Sequence, residues 1–280
     1  MKIKVGTRGS ALALAQTRFV IERLEKAYPQ DTFEIVVIRT TGDREQKKAL
    51  DQIGSKGIFT TEIEQALMAG EIQMAVHSMK DMPGEIAEGL TFAKAWKRED
   101  PRDVLILREA ASLAELPRGA VIATGSKRRQ YQLQALRPDL RFVGIRGNVD
   151  TRIKRLHSGL DDGTPIDGIV LAAAGLIRLG REKEITEYLS PEEMIPAPCQ
   201  GILALELRAD NLGLKEKLDA LSDEQTSRQQ TVEREFLAAC GGDCHLPIGA
   251  YLDADGGLLY TLLGNEDGSI LNRKKEKYDR

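Results

Sequence analysis

The sequence predicts an α/β fold of more than one domain, on three observations. Short apolar runs of strand length alternate with stretches of helical period, the pattern of largely parallel sheets covered by helices. Several runs end in small turns of glycine, serine and charged residues that feed the next helix. Two passages, one charged and one rich in proline, interrupt the alternation. At 280 residues the chain has room for two domains, or for two and a fragment.

Taken in order, the strand candidates are residues 3–6, 33–38, 74–77, 104–107, 121–123, 142–145, 168–172 and 202–207. Between the first two lies a helix whose apolar stripe runs Ala13, Val20, Leu24, Ala27, with Ser10 placed to cap its start. A second helix follows Phe59, with Thr61 and Glu64 spaced as a capping box and Gly70 as its stop. The charged link Lys97-Arg98-Glu99-Asp100-Pro101-Arg102-Asp103 separates two α/β units, and the prolines between Pro191 and Pro198 mark a second passage. This arrangement lets the chain leave a first domain, build a second and cross back. Beyond residue 216 a charged helix over 222–239 leads to a glycine-rich turn and a strand over 258–263.

Composition narrows the function classes. Hydrophobic residues make up 41% and charged ones 30%, as in ordinary globular proteins. A formal net charge of -3 gives no global basic field for nucleic acid. No apolar run has the length to span a bilayer, and Met1-Lys2-Ile3-Lys4-Val5 reads as a strand rather than a signal region, so a cytoplasmic protein is expected. Three cysteines, Cys199, Cys240 and Cys244, make no disulfide framework, and Cys240, Cys244 and His245 match no common zinc spacing.

Several loops carry chemistry. Gly6-Thr7-Arg8-Gly9-Ser10 presents backbone N–H groups at a helix start, with Arg8 as a forked clamp for a carboxylate; a plain strand-to-helix turn is the alternative. Gly54-Ser55-Lys56-Gly57 sets a lysine between glycines without the spacing of a P-loop, and reads equally as an anion-contacting loop or a solvated turn. His77-Ser78-Met79-Lys80-Asp81-Met82-Pro83 crowds polar residues at the carboxyl end of a buried strand, where ligands bind in open α/β sheets. Asp81 there is either a surface partner of Lys80 or a carboxylate for acid–base or cation-stabilising work. Arg128 and Arg129 fall in the first turn of a helix that starts near Ser126, against the helix dipole, which points to an anion at that place. Arg146-Gly147-Asn148-Val149-Asp150-Thr151-Arg152 repeats the theme. Arg8, Arg128, Arg129, Arg146 and Arg152 together favour an acidic ligand. Lastly, Cys240 and Cys244 share a glycine-rich loop suited either to covalent thiol chemistry or to simple burial.

In their order along nearly the whole chain, these segments resemble the porphobilinogen deaminase (hydroxymethylbilane synthase) family. The resemblance rests on Thr7-Arg8-Gly9-Ser10, Gly57-Ile58-Phe59, Ala75-Val76-His77-Ser78-Met79-Lys80-Asp81, residues 98–103, Ser126-Lys127-Arg128-Arg129-Gln130, Arg146-Gly147-Asn148-Val149, residues 174–180 and Cys244-His245-Leu246-Pro247-Ile248-Gly249. It implies three domains: 1–97 with 198–216, 98–197, and 217–280. The first two would be like type II periplasmic binding proteins around a central cleft, and the third a small α+β domain. It implies a transferase that joins four porphobilinogen molecules head to tail into hydroxymethylbilane with loss of ammonia. A dipyrromethane cofactor would be held by a thioether to Cys244, the cysteine before the Pro-Ile-Gly turn, with Cys240 as the alternative because the loop spacing differs by one residue.

By the same resemblance Asp81 is the catalytic aspartate, transferring protons and stabilising the azafulvene cation left when ammonia departs. Lys80, Ser126, Arg128, Arg129, Arg146 and Arg152 would hold the cofactor; Arg8, Ser10, Lys56, Ser78 and Arg178 would hold substrate. A monomer is implied. The sequence departs from the family pattern at Gly125, Lys127, Asp150 and Cys199, the last standing where glycine precedes Gln200-Gly201. A noncatalytic binding module for an acidic small molecule is the rival reading, and it leaves the late cysteine loop unexplained.

Overall fold

The computed structural model describes residues 1–40, 60–241 and 246–278. The chain divides into two compact units, Met1–Glu99 with Ile202–Thr231, and Asp100–Gly201 with Val232–Arg280.

The first unit begins with β1 (Lys2–Thr7), which buries Ile3 and Val5. It takes in Gly6 and Thr7, paired with Val36 and Val37 on the next strand, so the first loop starts only at Arg8. Ser10 caps α1 (Ala11–Ala27), its Oγ accepting a hydrogen bond from the Ala13 N–H at 3.2 Å. Val20 and Leu24 are buried on α1 as the stripe predicted, whereas Ala27 is exposed and two polar residues, Gln16 and Thr17, take inward positions. β2 (Thr32–Val37) pairs parallel with β1. The next helix among the described residues, α2 (Thr61–Met68), has Thr60 at its cap without a side-chain bond. The predicted box of Thr61 and Glu64 is therefore corrected: Thr61 is already inside the helix, and its hydroxyl cannot also cap it. Gly70 ends this segment with φ +72°, a conformation that favours glycine. β3 (Met74–Ser78) runs parallel to β1 and passes into a single 3-10 turn, Met79–Asp81, before the short β4 (Leu90–Phe92).

In the second unit, β5 (Asp103–Leu107) is buried along its whole length. β6 (Val121–Ala123) feeds α3 (Lys127–Leu136), capped by Ser126, and β7 (Arg141–Val143) lies parallel to β6. Then α4 (Val149–Ser158) crosses to β8 (Gly168–Ala172), on the other side of β6, and α5 (Ala173–Arg178) follows directly. β9 (Glu187–Tyr188) closes the sheet beside β5, in the order β7-β6-β8-β5-β9.

The chain returns to the first unit with β10 (Leu203–Arg208), which lies between β3 and β4, giving β2-β1-β3-β10-β4. Next come α6 (Leu212–Asp219) and α7 (Glu224–Ala239). The indole of Trp96 donates to the Leu218 carbonyl at 2.9 Å and packs into the core of the first unit with Val20, Leu24, Leu205 and Leu214. Finally β11 (Ile248–Asp253), β12 (Leu258–Gly264) and β13 (Leu271–Lys277) form an antiparallel sheet of their own in the second unit.

Among the described residues, the predicted fold class is observed as two five-stranded α/β sheets and a small third sheet. The expectation of largely parallel strands is corrected, because each five-stranded sheet combines two parallel with two antiparallel pairings. The antiparallel pairings involve β5 and β10, the strands that follow the charged and the proline-rich passages. Neither is fed by a crossover helix, so neither is held to the parallel sense.

Glu233, fully buried, ties the third sheet to the rest of its unit. One carboxylate oxygen accepts from the Cys199 N–H at 2.6 Å and the other from the Leu252 N–H at 3.0 Å. Cys199 has φ +60°, the left-handed region that favours glycine. This gives a physical reason for glycine in the family pattern at that place. Glu233→Ala leaves two buried N–H donors without their acceptor and should destabilise the protein by about 2–5 kcal/mol. Glu233→Gln, which keeps one acceptor oxygen, should lose roughly half as much; urea unfolding of both variants measures the difference.

Candidate active site

Both five-stranded sheets reverse their winding at the strand next to one edge, β1 in one and β6 in the other. From β1 the chain goes to β2 on one side and later to β3 on the other; from β6 it goes to β7 and then to β8. At such a reversal the loops leaving neighbouring strands diverge and open a crevice beyond the strand ends, the usual ligand position in open α/β sheets.

In the first unit a pocket lies at this place, lined among others by Arg8 and Ser10 from the loop after β1, Gln16 from α1, and His77, Ser78 and Asp81 from the end of β3. Asp81 is exposed at the close of its 3-10 turn, and Lys80 beside it is half-buried. Gln16 explains why a polar residue occupies the inner face of α1: its amide nitrogen donates to the Ser78 hydroxyl at 2.9 Å. Behind the pocket, His77 Nε2 lies 3.1 Å from a carboxylate oxygen of Glu206 on β10, with both side chains buried. Thr60, at the start of α2, also lines this pocket.

The second unit gathers its candidates around the ends of β6, β7 and β8. Ser126 caps α3, and its Oγ accepts from the Arg129 N–H at 3.4 Å. Arg146 and Gly147 close the turn into α4. Gly147 has φ +107°, and a Cβ there would lie 2.8 Å from Thr151 Cγ2, so only glycine fits. The Gly147 carbonyl accepts from Arg152 Nε at 2.8 Å, and the Arg146 carbonyl accepts from Arg155 Nη1 at 2.8 Å. These two bonds stiffen the turn that carries Arg146, whose own side chain is half-buried. Arg178, at the end of α5, donates from Nη2 to the Gly201 carbonyl at 2.7 Å. Asp150, a departure from the family pattern, is exposed and pairs with Arg181.

Arg128 and Arg129 have an anion inside the chain. Arg128 Nη1 lies 2.7 Å from one oxygen of Asp103, and Arg129 Nη2 lies 2.8 Å from the other. Gln200 Nε2 donates to the same carboxylate at 3.0 Å, and Arg128 Nη1 also reaches the Ile195 carbonyl at 2.6 Å. Burial alone would raise the Asp103 pKa, but the charges of Arg128 and Arg129 outweigh it and hold the carboxyl well below the usual carboxylate range. Burial pushes the Arg128 pKa down. Two guanidinium charges against one carboxylate leave a net positive charge at the base of the loops that carry Ser126 and Arg146.

Of the predicted site residues, Arg8, Ser10, Ser78 and Asp81 meet in one pocket with Lys80 beside them, and Ser126, Arg128, Arg129, Arg146, Arg152 and Arg178 belong to the second unit. Lys56 and Cys244 lie outside the described residues. Cys240 is half-buried at the end of α7, with its thiol pushed up by that burial. Sequence reasoning passed over His77, Gln16, Glu206, Asp103 and Gln200 as site residues. The signal for all but Gln200, which lies in a turn, was polar character at strand and helix positions that the apolar pattern marks as inward.

Known proteins decide the family. The family profile described as "Porphobilinogen deaminase, dipyromethane cofactor binding domain" matches residues 3–216. The chain belongs to the porphobilinogen deaminase family. It is 59% identical to the porphobilinogen deaminase of Lachnospira eligens over 98% of this chain and 92% of that one. The porphobilinogen deaminase of Clostridium novyi is 50% identical over 98% and 92%, and that of Streptococcus sanguinis 46% identical over 96% and 88%. Among solved structures, the arginine-specific periplasmic binding protein of Salmonella typhimurium aligns at 15% identity over 82% of this chain and 98% of that one, with a TM-score of 0.44. The protein is thus a transferase of porphyrin and haem biosynthesis: it polymerises four porphobilinogen molecules into hydroxymethylbilane on a covalently held dipyrromethane cofactor. The donor set fits that group, since pyrrole acetate and propionate arms are anions and the strand ends of the second unit carry arginine side chains and a serine-capped helix start. Among the described residues, no helix is long and apolar enough to cross a membrane.

Asp103→Asn should destabilise the protein by about 3–5 kcal/mol, because two buried arginines lose their shared counter-charge. The native carboxyl titrates below its unfolded value of about 3.9, so its stabilisation is complete above that value and is lost as pH falls towards the folded value. Urea midpoints of the native protein and of Asp103→Asn should therefore differ most at neutral pH and converge as the pH drops below about 4.

Proposed function

We propose that Asp81 is the catalytic carboxylate of this polymerase and that Cys244 carries the cofactor. What supports the reading of Asp81 is its place: it ends a one-turn helix directly after β3 and lines a pocket together with Arg8 and Ser10 at the reversal point of the sheet. When ammonia leaves the aminomethyl carbon of porphobilinogen, positive charge spreads over the pyrrole. A fixed carboxylate near the ring nitrogen stabilises that charge and accepts the N–H proton when needed. Arg8, with Ser10 and Ser78, binds and orients the acidic arms of the incoming substrate, and Lys56 and Arg178 add to that binding.

Ser126, Arg146, Arg152 and Lys80 would hold the acidic arms of the cofactor. Arg128 and Arg129, bonded to Asp103, contribute to cofactor binding through the net positive charge of their cluster. The cofactor, when bound, supplies the nucleophilic pyrrole carbon for the first condensation. We further read the chain as three domains, 1–97 with 198–216, 98–197, and 217–280, acting as a cytoplasmic monomer on a small-molecule substrate, without nucleic acid or membrane.

Intact mass under denaturing conditions tests the cysteine. The native protein should carry an increment of two pyrrole units that grows stepwise with porphobilinogen, and Cys244→Ser should carry none. An increment that survives in Cys244→Ser and disappears in Cys240→Ser would move the attachment to Cys240. Asp81→Asn should keep the increment and lower kcat by about 10²–10³-fold; near-native turnover would remove Asp81 from the role.

A further inference from the structure

We propose that the buried pair His77–Glu206 is a positioning device that sets the Asp81 turn, an inference that rests on the role given to Asp81 above. Both side chains are almost wholly removed from solvent, His77 with 7% of its surface exposed and Glu206 with 1%. Their contact crosses two antiparallel strands. His77 on β3 faces Ala204 on β10, and Glu206 faces Ala75, so the imidazole and the carboxylate meet on the diagonal, Nε2 to Oε2 at 3.1 Å.

Stability does not call for this pair. The ladder between β3 and β10 runs over Ser78 to Met74, and Val76, Met74, Leu205 and Leu207 already bury apolar side chains along it. Replacing a buried polar pair by apolar side chains of similar volume is often neutral or stabilising. What an imidazole–carboxylate bond supplies and a methyl contact does not is direction: it fixes the ring, and with it the strand end, to a narrow set of positions.

The place of the pair gives that direction a use. His77 lines the pocket that holds Asp81. The next residue, Ser78, is held from α1 by Gln16 at 2.9 Å, and the Met79 N–H donates to the Ile202 carbonyl at 2.9 Å. Three successive residues are therefore anchored from three directions, by β10, by α1 and by the residue that leads into β10. Asp81 follows two residues later on a single 3-10 turn closed by the bond from the Met82 N–H to the Met79 carbonyl at 3.1 Å. A turn this short transmits the placement of its first residue to its last. An error of about 1 Å at a reacting group can cost on the order of 10²-fold in rate.

The test compares variants that keep the bond with variants that remove it, in the complete holoenzyme, reading covalent cofactor by intact mass, Tm, KM and kcat. The double variant His77→Leu/Glu206→Met removes the bond and keeps the volume. It should retain cofactor, show a Tm within a few degrees of native and a KM within about twofold, and lose at least about tenfold in kcat. Glu206→Gln and His77→Gln, each able to keep a hydrogen bond, should stay within about threefold of native kcat. Added to Asp81→Asn, the double variant should lower kcat little further, because residues that act through one another are not additive.

Native kcat in the double variant would overturn the inference, as would a kcat loss matched by loss of cofactor or Tm, which marks a merely structural pair. A tenfold loss in His77→Gln alone would also overturn it, by showing that the imidazole itself is needed. If the double variant does not fold, Glu206→Met is read by the same criteria. Near-native turnover in Asp81→Asn would bring down the role of Asp81 and this inference together, whereas an inactive Asp81→Asn beside a fully active double variant would remove the inference alone.

Discussion

The second unit depends on a carboxylate that has no contact with water. Asp103 begins β5, yet its bonds reach Arg128 and Arg129 on α3 and Gln200 in the turn before β10. An isolated buried charge is too costly to persist, so these elements are held to one arrangement by the requirement that the charge be compensated. Gln132 extends the same constraint, exchanging hydrogen bonds with the Ile195 backbone in both senses, from its amide nitrogen at 3.1 Å and to its amide oxygen at 2.9 Å. The proline-rich passage that leads to β10 is thereby tied to α3. The loops that carry Ser126 and Arg146 start from a floor already fixed and already positive.

The first unit meets a comparable demand on a smaller scale. Its pocket floor contains an imidazole–carboxylate pair and a glutamine–serine bond in place of further aliphatic side chains. In both units the polar groups sit below the loops rather than on them. A ligand with several carboxylates needs cationic and hydroxyl groups held in register with one another, and loops alone carry too much conformational freedom for that. Fixing the strand ends and helix starts with buried bonds leaves the loop residues, Asp81 and Arg146 among them, less to lose on binding.

The third sheet is attached by different means. Ile195 packs against Tyr260 and Leu262, the Ala250 N–H donates to the Pro196 carbonyl at 3.0 Å, and Glu233 bridges Cys199 and Leu252. The segment 195–199 is thus shared between the Asp103 cluster and the third sheet. Substitution there reaches both, and Cys199 with its positive φ stands at its end.

Taken alone, the sequence determined the alternation of strands and helices, the start of α1 at Ser10, the stop at Gly70, and the polar loops beyond β1, β3, β6 and β7. These are local properties, set by the period of apolar residues and by the few residue types that cap helices or adopt positive φ. The edge strand β13 escaped that reading because its exposed Asn-Arg-Lys-Lys run has no apolar alternation, and it pairs with β12 through the backbone. The sense of β5 and β10, and the partners of Arg128, Arg129, His77 and Gln16, were decided only in three dimensions. Residues 25 to 129 positions apart form those contacts, and no local pattern records them. The sequence shows that arginines crowd the strand ends; which carboxylate each one meets depends on the order in which the sheet assembles, because charge compensation in a buried site is a property of neighbours in space.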